Sequence, residues 1–216
     1  MTAPDSPPHG EAGILSDVAA YYSGRLAEHG PTPRGVDWKD AASQQARFDA
    51  RLTLVEDPAA SLLDLGCGFG ALLPHARMKG FRGLYVGTDI APSMIESAWQ
   101  LHKADAATRF ERGMAPAEPC DYAVASGVFN VRLHHDAARW QAYMEATVAL
   151  MDRSSRRGFA FNCLTSYADL DRMRPDLHYA DPLAWFDLCR RRHGRAVALL
   201  HDYGLWEWTL IVRKDR

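Results

Sequence analysis

Cysteine is scarce in this sequence, with four residues at 67, 120, 163 and 189. No Cys-x-x-Cys pair suggests a zinc site, no metal is expected, and four dispersed thiols do not staple a chain of 216 residues. Reduced thiols and a cytoplasmic location are the expectation. A dominant sign of charge is missing too. Lys and Arg number 25 against 27 Asp and Glu, a net charge of −2, so no global field recruits nucleic acid or an anionic membrane. No apolar run approaches the roughly 20 residues that span a bilayer. The opening "MTAPDSPPHGEAG" has neither the basic start nor the apolar core of a secretion signal. Its proline, glycine and charge predict a disordered tail over residues 1–13. Beyond it there is no repeat and no low-complexity block.

What is present is ordinary globular material, 47% hydrophobic and 24% charged, in a chain long enough to bury a full core. Two helices open it. Ile14, Val18, Tyr21, Tyr22 and Leu26 form one apolar stripe, and after the breaker "PTPRG" a second helix carries Phe48, Leu52 and Val55 on one side. Residues 14–57 are therefore expected to be a helical cap on a domain spanning 58–216. From Ser61 onward strands and helices alternate, which implies a mostly parallel sheet covered on both faces. The helix beginning near Asp136 has that residue as its expected N-cap, and Trp140, Tyr143, Met144 and Met151 as its buried face. The last two strands, Ala196–His201 and Glu207–Arg213, have no helix between them. They must be antiparallel neighbours.

The most informative stretch is "SLLDLGCGFGALLPHA", Ser61 to Ala76. An apolar strand breaks into Gly66, Gly68 and Gly70 before a helix begins. In an open α/β sheet ligands bind at the carboxyl ends of the strands, where glycines admit close backbone approach and a helix N-terminus favours a negative group. The next strand ends in "GTDI", so Asp89 follows Gly66 by the interval at which an acid meets ribose hydroxyls in nucleotide-binding units. Gly66, Gly68 and Ala71 also satisfy a loose GxGxx(G/A) pattern. An NAD(P)-dependent oxidoreductase with a Rossmann domain therefore stands as one alternative, and a non-catalytic cofactor-binding domain as another. Against the dinucleotide stands Asp64, whose charge suits an ammonium or sulfonium ligand better than a pyrophosphate.

"LLDLGCGFGALL", then "YVGTDIAPSMIESA", then "CDYAVASGVFNV" resemble the class I S-adenosylmethionine-dependent methyltransferases. The likeness runs from Ser61 to Arg213, with "HDYGLWEWTLIVRK" resembling the family's closing antiparallel strands. It implies a Rossmann-like, seven-stranded, mostly parallel sheet with one antiparallel strand near the C-terminus and helices on both faces. It implies S-adenosylmethionine as cofactor and S-adenosylhomocysteine as product. Asp64, Gly66, Cys67 and Gly68 would lie along the methionine portion, Asp89 on the ribose and Ile90 against the adenine. Met94 and Ser126 complete the expected cofactor contacts. Many members carry an acid just after the third strand; this chain has Met114 there, which is expected to pack on the adenine.

The acceptor is expected to be a small molecule, with no nucleic acid and no membrane as partner. It would sit over the fourth and fifth strand ends, under the cap, against Tyr22, Trp38, Phe129, Asn130, Asn162 and Tyr179. His134 and His135 follow the fourth strand, and one of them is the candidate general base for a hydroxyl nucleophile, since histidine exchanges a proton near neutral pH. The motif of DNA amino-methyltransferases is absent; "NCLTSY" stands in its place.

Overall fold

The computed structural model describes residues 11–214; the first ten positions of the expected tail lie outside the described residues. Helix α1 runs Glu11–His29, so it begins three residues ahead of the apolar stripe, and a 3-10 turn at Pro33–Val36 leads to α2, Ala41–Leu52. The Asp40 carboxylate caps α2 by accepting from the Ser43 amide at 2.7 Å. The alternating part follows: β1 Leu62–Leu65, α3 Leu72–Met78, β2 Tyr85–Asp89, α4 Pro92–His102, β3 Thr108–Arg112, β4 Cys120–Ala125, α5 Ala137–Arg153 and β5 Ser155–Thr165. Then come β6 Tyr179–Ala180, α6 Pro182–Arg192, β7 Ala196–Leu200 and β8 Glu207–Arg213. Asp136 caps α5 as expected, its side chain accepting from the Arg139 amide.

The sheet order is β3-β2-β1-β4-β5-β8-β7, with the two-residue β6 pairing beside β5. All pairs are parallel except β5 with β8 and β7 with β8. The reversed strand is therefore β8. It lies one place in from the edge, slotted between β5 and β7, rather than forming the edge itself. The expected seven strands are the path; β6 is an eighth, too short to leave a pattern in the sequence.

The core is two apolar layers, one on each face, and strand alternation assigns the residues. Leu63, Leu65, Ala123, Phe159, Phe161 and Trp208 face α1, α5 and α6, where Ile14, Trp140, Met144, Met151 and Trp185 meet them. Leu62, Tyr85, Val124, Ala160 and Ile211 face α2 and α3, meeting Phe48, Leu72, Leu73 and Ala76. Helix α2 thus contributes to the main core. Along β1, Asp64 shares its parity with Leu62, so its carboxylate belongs to the α2 side. The chain runs from β1 to β2 and β3 on one flank and then crosses to β4 on the other. This places the topological switch at the carboxyl end of β1.

Candidate active site

At that switch point the strand ends enclose a cavity of about 830 Å³, its open mouth included. Its floor is the chain leaving β1, β2, β3 and β4. Its roof is α1 through Val18, Ala19 and Tyr22, the 3-10 turn through Val36, and α2 through Gln44, Phe48 and Arg51.

The glycine loop takes a left-handed path, with φ of +71° at Gly66, +56° at Gly68 and +78° at Gly70, a region costly for residues bearing a Cβ. Space forbids a side chain as well: a Cβ on Gly66 would lie 2.5 Å from Cγ2 of Val128. The amides of Gly66 and Cys67 both donate to the Thr88 carbonyl, at 2.8 and 2.9 Å. The Gly68 amide donates to Oδ2 of Asp89 at 2.9 Å, and the Ala91 amide to Oδ1 at 2.8 Å. Asp89 therefore clasps the glycine loop to the start of α4. Burial raises its pKa, yet each carboxylate oxygen keeps a lone pair for a further donor.

Asp64 is buried and accepts from the Tyr85 hydroxyl at 2.5 Å. Burial pushes its carboxyl up to about 6, against the opposing pull of the Tyr85 hydrogen bond and the Arg51 charge. Arg51 reaches the same cavity from α2. It is 0% exposed, and among the described residues none of its three guanidinium nitrogens finds a hydrogen-bond partner. Burial lowers its pKa to about 10. A buried cation without hydrogen bonds costs several kcal/mol, so this end of the cavity is arranged for an anionic group, with a buried carboxylate close by.

A second set of contacts fixes the aromatic wall. The Arg47 guanidinium lies 4.0 Å from the centre of the Trp38 ring. Arg47 donates through Nε and a terminal nitrogen to Glu207, at 2.9 and 2.6 Å, the forked geometry that suits arginine. Asn162 Nδ2 donates to the same carboxylate at 2.5 Å, and its Oδ1 accepts from the Gly127 amide at 3.1 Å. Gly127 has φ +71°, and a Cβ there would lie 2.7 Å from the Trp38 ring. The loop leaving β4 is thus locked against Trp38.

All nine residues expected along the cofactor, Asp64, Gly66, Cys67, Gly68, Asp89, Ile90, Met94, Met114 and Ser126, line this one cavity. Tyr22 and Trp38 line it too. The other expected acceptor contacts do not. Phe129 is 0% exposed within the α1-side core, edge-on to Phe161 and Tyr143. Asn130 is buried and accepts from the Leu164 amide. Asn162 stands behind the wall and holds Gly127. Tyr179 lies in β6, where its hydroxyl accepts from the Arg174 amide. His134 and His135 are also outside the lining. The chain dives into the core at Phe129, bridges at Val131 to Leu177, and emerges against Asp17 of α1. There His134 Nε2 is 3.4 Å and His135 Nε2 3.1 Å from the carboxylate.

The residues missed were Arg51, Gln44 and Phe48. An arginine on a polar helix reads as solvated, and nothing local in "ARFDARL" marks Arg51 as buried. The one usable signal is that Gln44, Phe48 and Arg51 share the α2 face that Phe48 draws into the core.

Comparison with known proteins points one way. Residues 38–205 match the methyltransferase domain family. A Mycobacterium tuberculosis protein, Rv1506c, whose name assigns it provisionally to the methyltransferases, is 49% identical over 164 residues, covering 76% of this chain and 98% of that protein. Among solved structures, the DhpI–SAH complex superposes with a TM-score of 0.63 at 14% identity, covering 95% of this chain and 99% of that one. The SAH-bound magnesium protoporphyrin IX methyltransferase of Synechocystis gives 0.56 at 13% identity, covering 100% and 90%.

Proposed function

This chain belongs to the methyltransferase domain family, and from that premise we propose that it transfers the methyl group of S-adenosylmethionine to a hydroxyl or amine of a small molecule. The observation that carries the cofactor assignment is that buried Arg51, buried Asp64 and Asp89 line one cavity with the glycine loop. The amino-acid end of the cofactor is a zwitterion. Arg51, which has no hydrogen-bond partner among the described residues, takes the carboxylate, and Asp64 takes the ammonium. Asp89 accepts from the ribose hydroxyls with the lone pairs left over from Gly68 and Ala91. Ile90 and Met114 cover the adenine faces in place of an acidic side chain.

Bound in this way, the cofactor supplies a methyl group already activated by its sulfonium sulfur. The protein's part is alignment and dryness. Tyr22 and Trp38 wall the space beyond the glycine loop and hold the acceptor's nucleophile in line with the carbon–sulfur bond. Helices α1 and α2 close off water. The roofed cavity and the near-neutral charge support a small acceptor, because neither offers a track for a polymer.

Calorimetry tests this reading. S-adenosylhomocysteine is expected to bind, NAD is not, and Asp89→Ala is expected to weaken binding of both S-adenosylhomocysteine and methylthioadenosine at least tenfold. The magnitude follows from losing hydrogen bonds to a charged group, about 1.5–3 kcal/mol. Binding of NAD without binding of either adenosyl ligand would overturn the reading.

A further inference from the structure

The loop between β4 and α5 carries a cluster that the cavity does not use. Asp17 of α1 and the adjacent His134 and His135 bring one ligand atom each to within 4.8 Å of one another. Asp17 Oδ2 lies 3.4 Å from His134 Nε2 and 3.1 Å from His135 Nε2. These spacings bracket the edge of a tetrahedron whose ligands stand about 2.0–2.1 Å from a zinc ion, roughly 3.3 Å. The His135 side chain is only 5% exposed. Its ring lies against His134 at 4.5 Å and against Trp140 at 6.5 Å, nearly parallel to the indole at 16°. Its Nε2 is buried and, among the described residues, makes no hydrogen bond, although the Asp17 carboxylate stands 3.1 Å away. A buried imidazole nitrogen left unsatisfied in this way is costly. The backbone holds it there: Leu133 takes φ +55°, and the Arg132 guanidinium donates to the His135 carbonyl.

We propose that Asp17, His134 and His135 form a binding site for a borderline divalent transition-metal ion of the zinc type. Two imidazoles and one carboxylate suit such an ion, and they do not suit magnesium or calcium, which take oxygen. The fourth position opens to water on the side of His134, whose side chain is 76% exposed. The ion joins α1 to the β4–α5 loop. Val18 and Ala19, directly after Asp17, and Val128 on the same loop line the cavity. The metal therefore acts as a clip that holds the roof to the floor at a distance from the reacting atoms. This assignment is independent of the methyl-transfer reading.

The test uses the full chain stripped with chelator and titrated with Zn²⁺ by calorimetry, and with Co²⁺ as a spectroscopic probe. One Zn²⁺ per chain is expected, with a raised melting temperature and the visible bands of four-coordinate Co²⁺. Asp17→Asn and His134→Ala alter side chains with substantial exposure, so both are expected to keep the metal-free melting temperature. Each is expected to weaken Zn²⁺ at least tenfold and to lose the Co²⁺ bands. Absence of binding to the parent chain overturns the proposal. Undiminished binding to both variants places the ion elsewhere, at the cysteines or another histidine, and overturns it equally.

Discussion

Arg51 is a charge kept in place at a cost. Removing one partner of a buried pair is destabilising, but replacing a buried ionic group by an apolar one of similar volume is often neutral or stabilising. Among the described residues Arg51 has no hydrogen bond to lose in the ligand-free protein. The nearby Arg51 charge favours the ionised form of buried Asp64, so Arg51→Met is expected to raise the ligand-free melting temperature near pH 5, where that carboxyl is mostly protonated, and not near pH 7, where loss of the guanidinium would leave a buried carboxylate uncompensated. The same change is expected to weaken S-adenosylhomocysteine at least tenfold while leaving methylthioadenosine, which has no amino-acid end, nearly unaffected. Differential scanning fluorimetry and calorimetry on the two proteins check both halves. Equal losses for the two ligands would move Arg51 away from the carboxylate. That Asp89 lines the cavity was legible in the sequence and that Arg51 does was not, for a physical reason. Asp89 ends a strand beside a loop whose spacing restricts its use, whereas the burial of Arg51 arises only when α2 packs on the far strands.

Among the elements, α2 is held from a distance. Arg47 and Glu207 stand 160 positions apart in sequence, yet they make a buried fork that also engages Asn162 of β5. Glu207→Gln leaves the Arg47 guanidinium buried without its counter-charge, at a cost of about 3–5 kcal/mol. A lower urea midpoint is expected, together with weaker S-adenosylhomocysteine binding, because Trp38 and Arg51 sit on the segment that loosens. An unchanged midpoint would mean that apolar packing through Phe48 suffices. The succession of helices and strands could be read beforehand because apolar periodicity and caps are local signals, as at Asp136. The roles of Asn130, Asn162 and Tyr179 could not. Their position after a strand suggested the cavity wall, but their partners, Leu164, Glu207 and Arg174, are supplied by the tertiary fold and draw them behind it. The adjacent histidines lie outside the cavity lining for a similar reason, since Phe129 and Val131 turn the chain into the core before they emerge.

At the scale of the whole molecule, opposing titrations shape stability. Arg77 and Arg174 hold the carboxyls of Asp105 and Asp176 below the usual range, so their contributions are present above the ordinary pKa and fade as pH falls. Asp64 runs the other way. Its folded pKa of about 6 lies above the ordinary carboxylate value. Its contribution is thus full below about pH 4 and is lost as pH rises through about 6. A cation bound beside Asp64 offsets that loss. The melting-temperature gain from S-adenosylhomocysteine is therefore expected to be larger near pH 7 than near pH 5, measured at one ligand excess. Equal gains would place the ligand's ammonium away from Asp64.

The slot occupied by β8 has a consequence for how the protein comes into being. On a ribosome the edge strand β7 emerges before β8, yet among the described residues β8 is the strand that pairs it to the sheet. Six of the seven β8 residues are buried, and the first of them is Glu207. Until that strand arrives, β5 has an open edge, and Asn162 and Arg47 lack their shared carboxylate. The partners of the glycine loop all precede β8 in sequence, whereas the Arg47 contact on the Trp38 side of the cavity waits for Glu207. A chain lacking β8 would present an unpaired β5 edge, the kind of open strand that natural sheets cover.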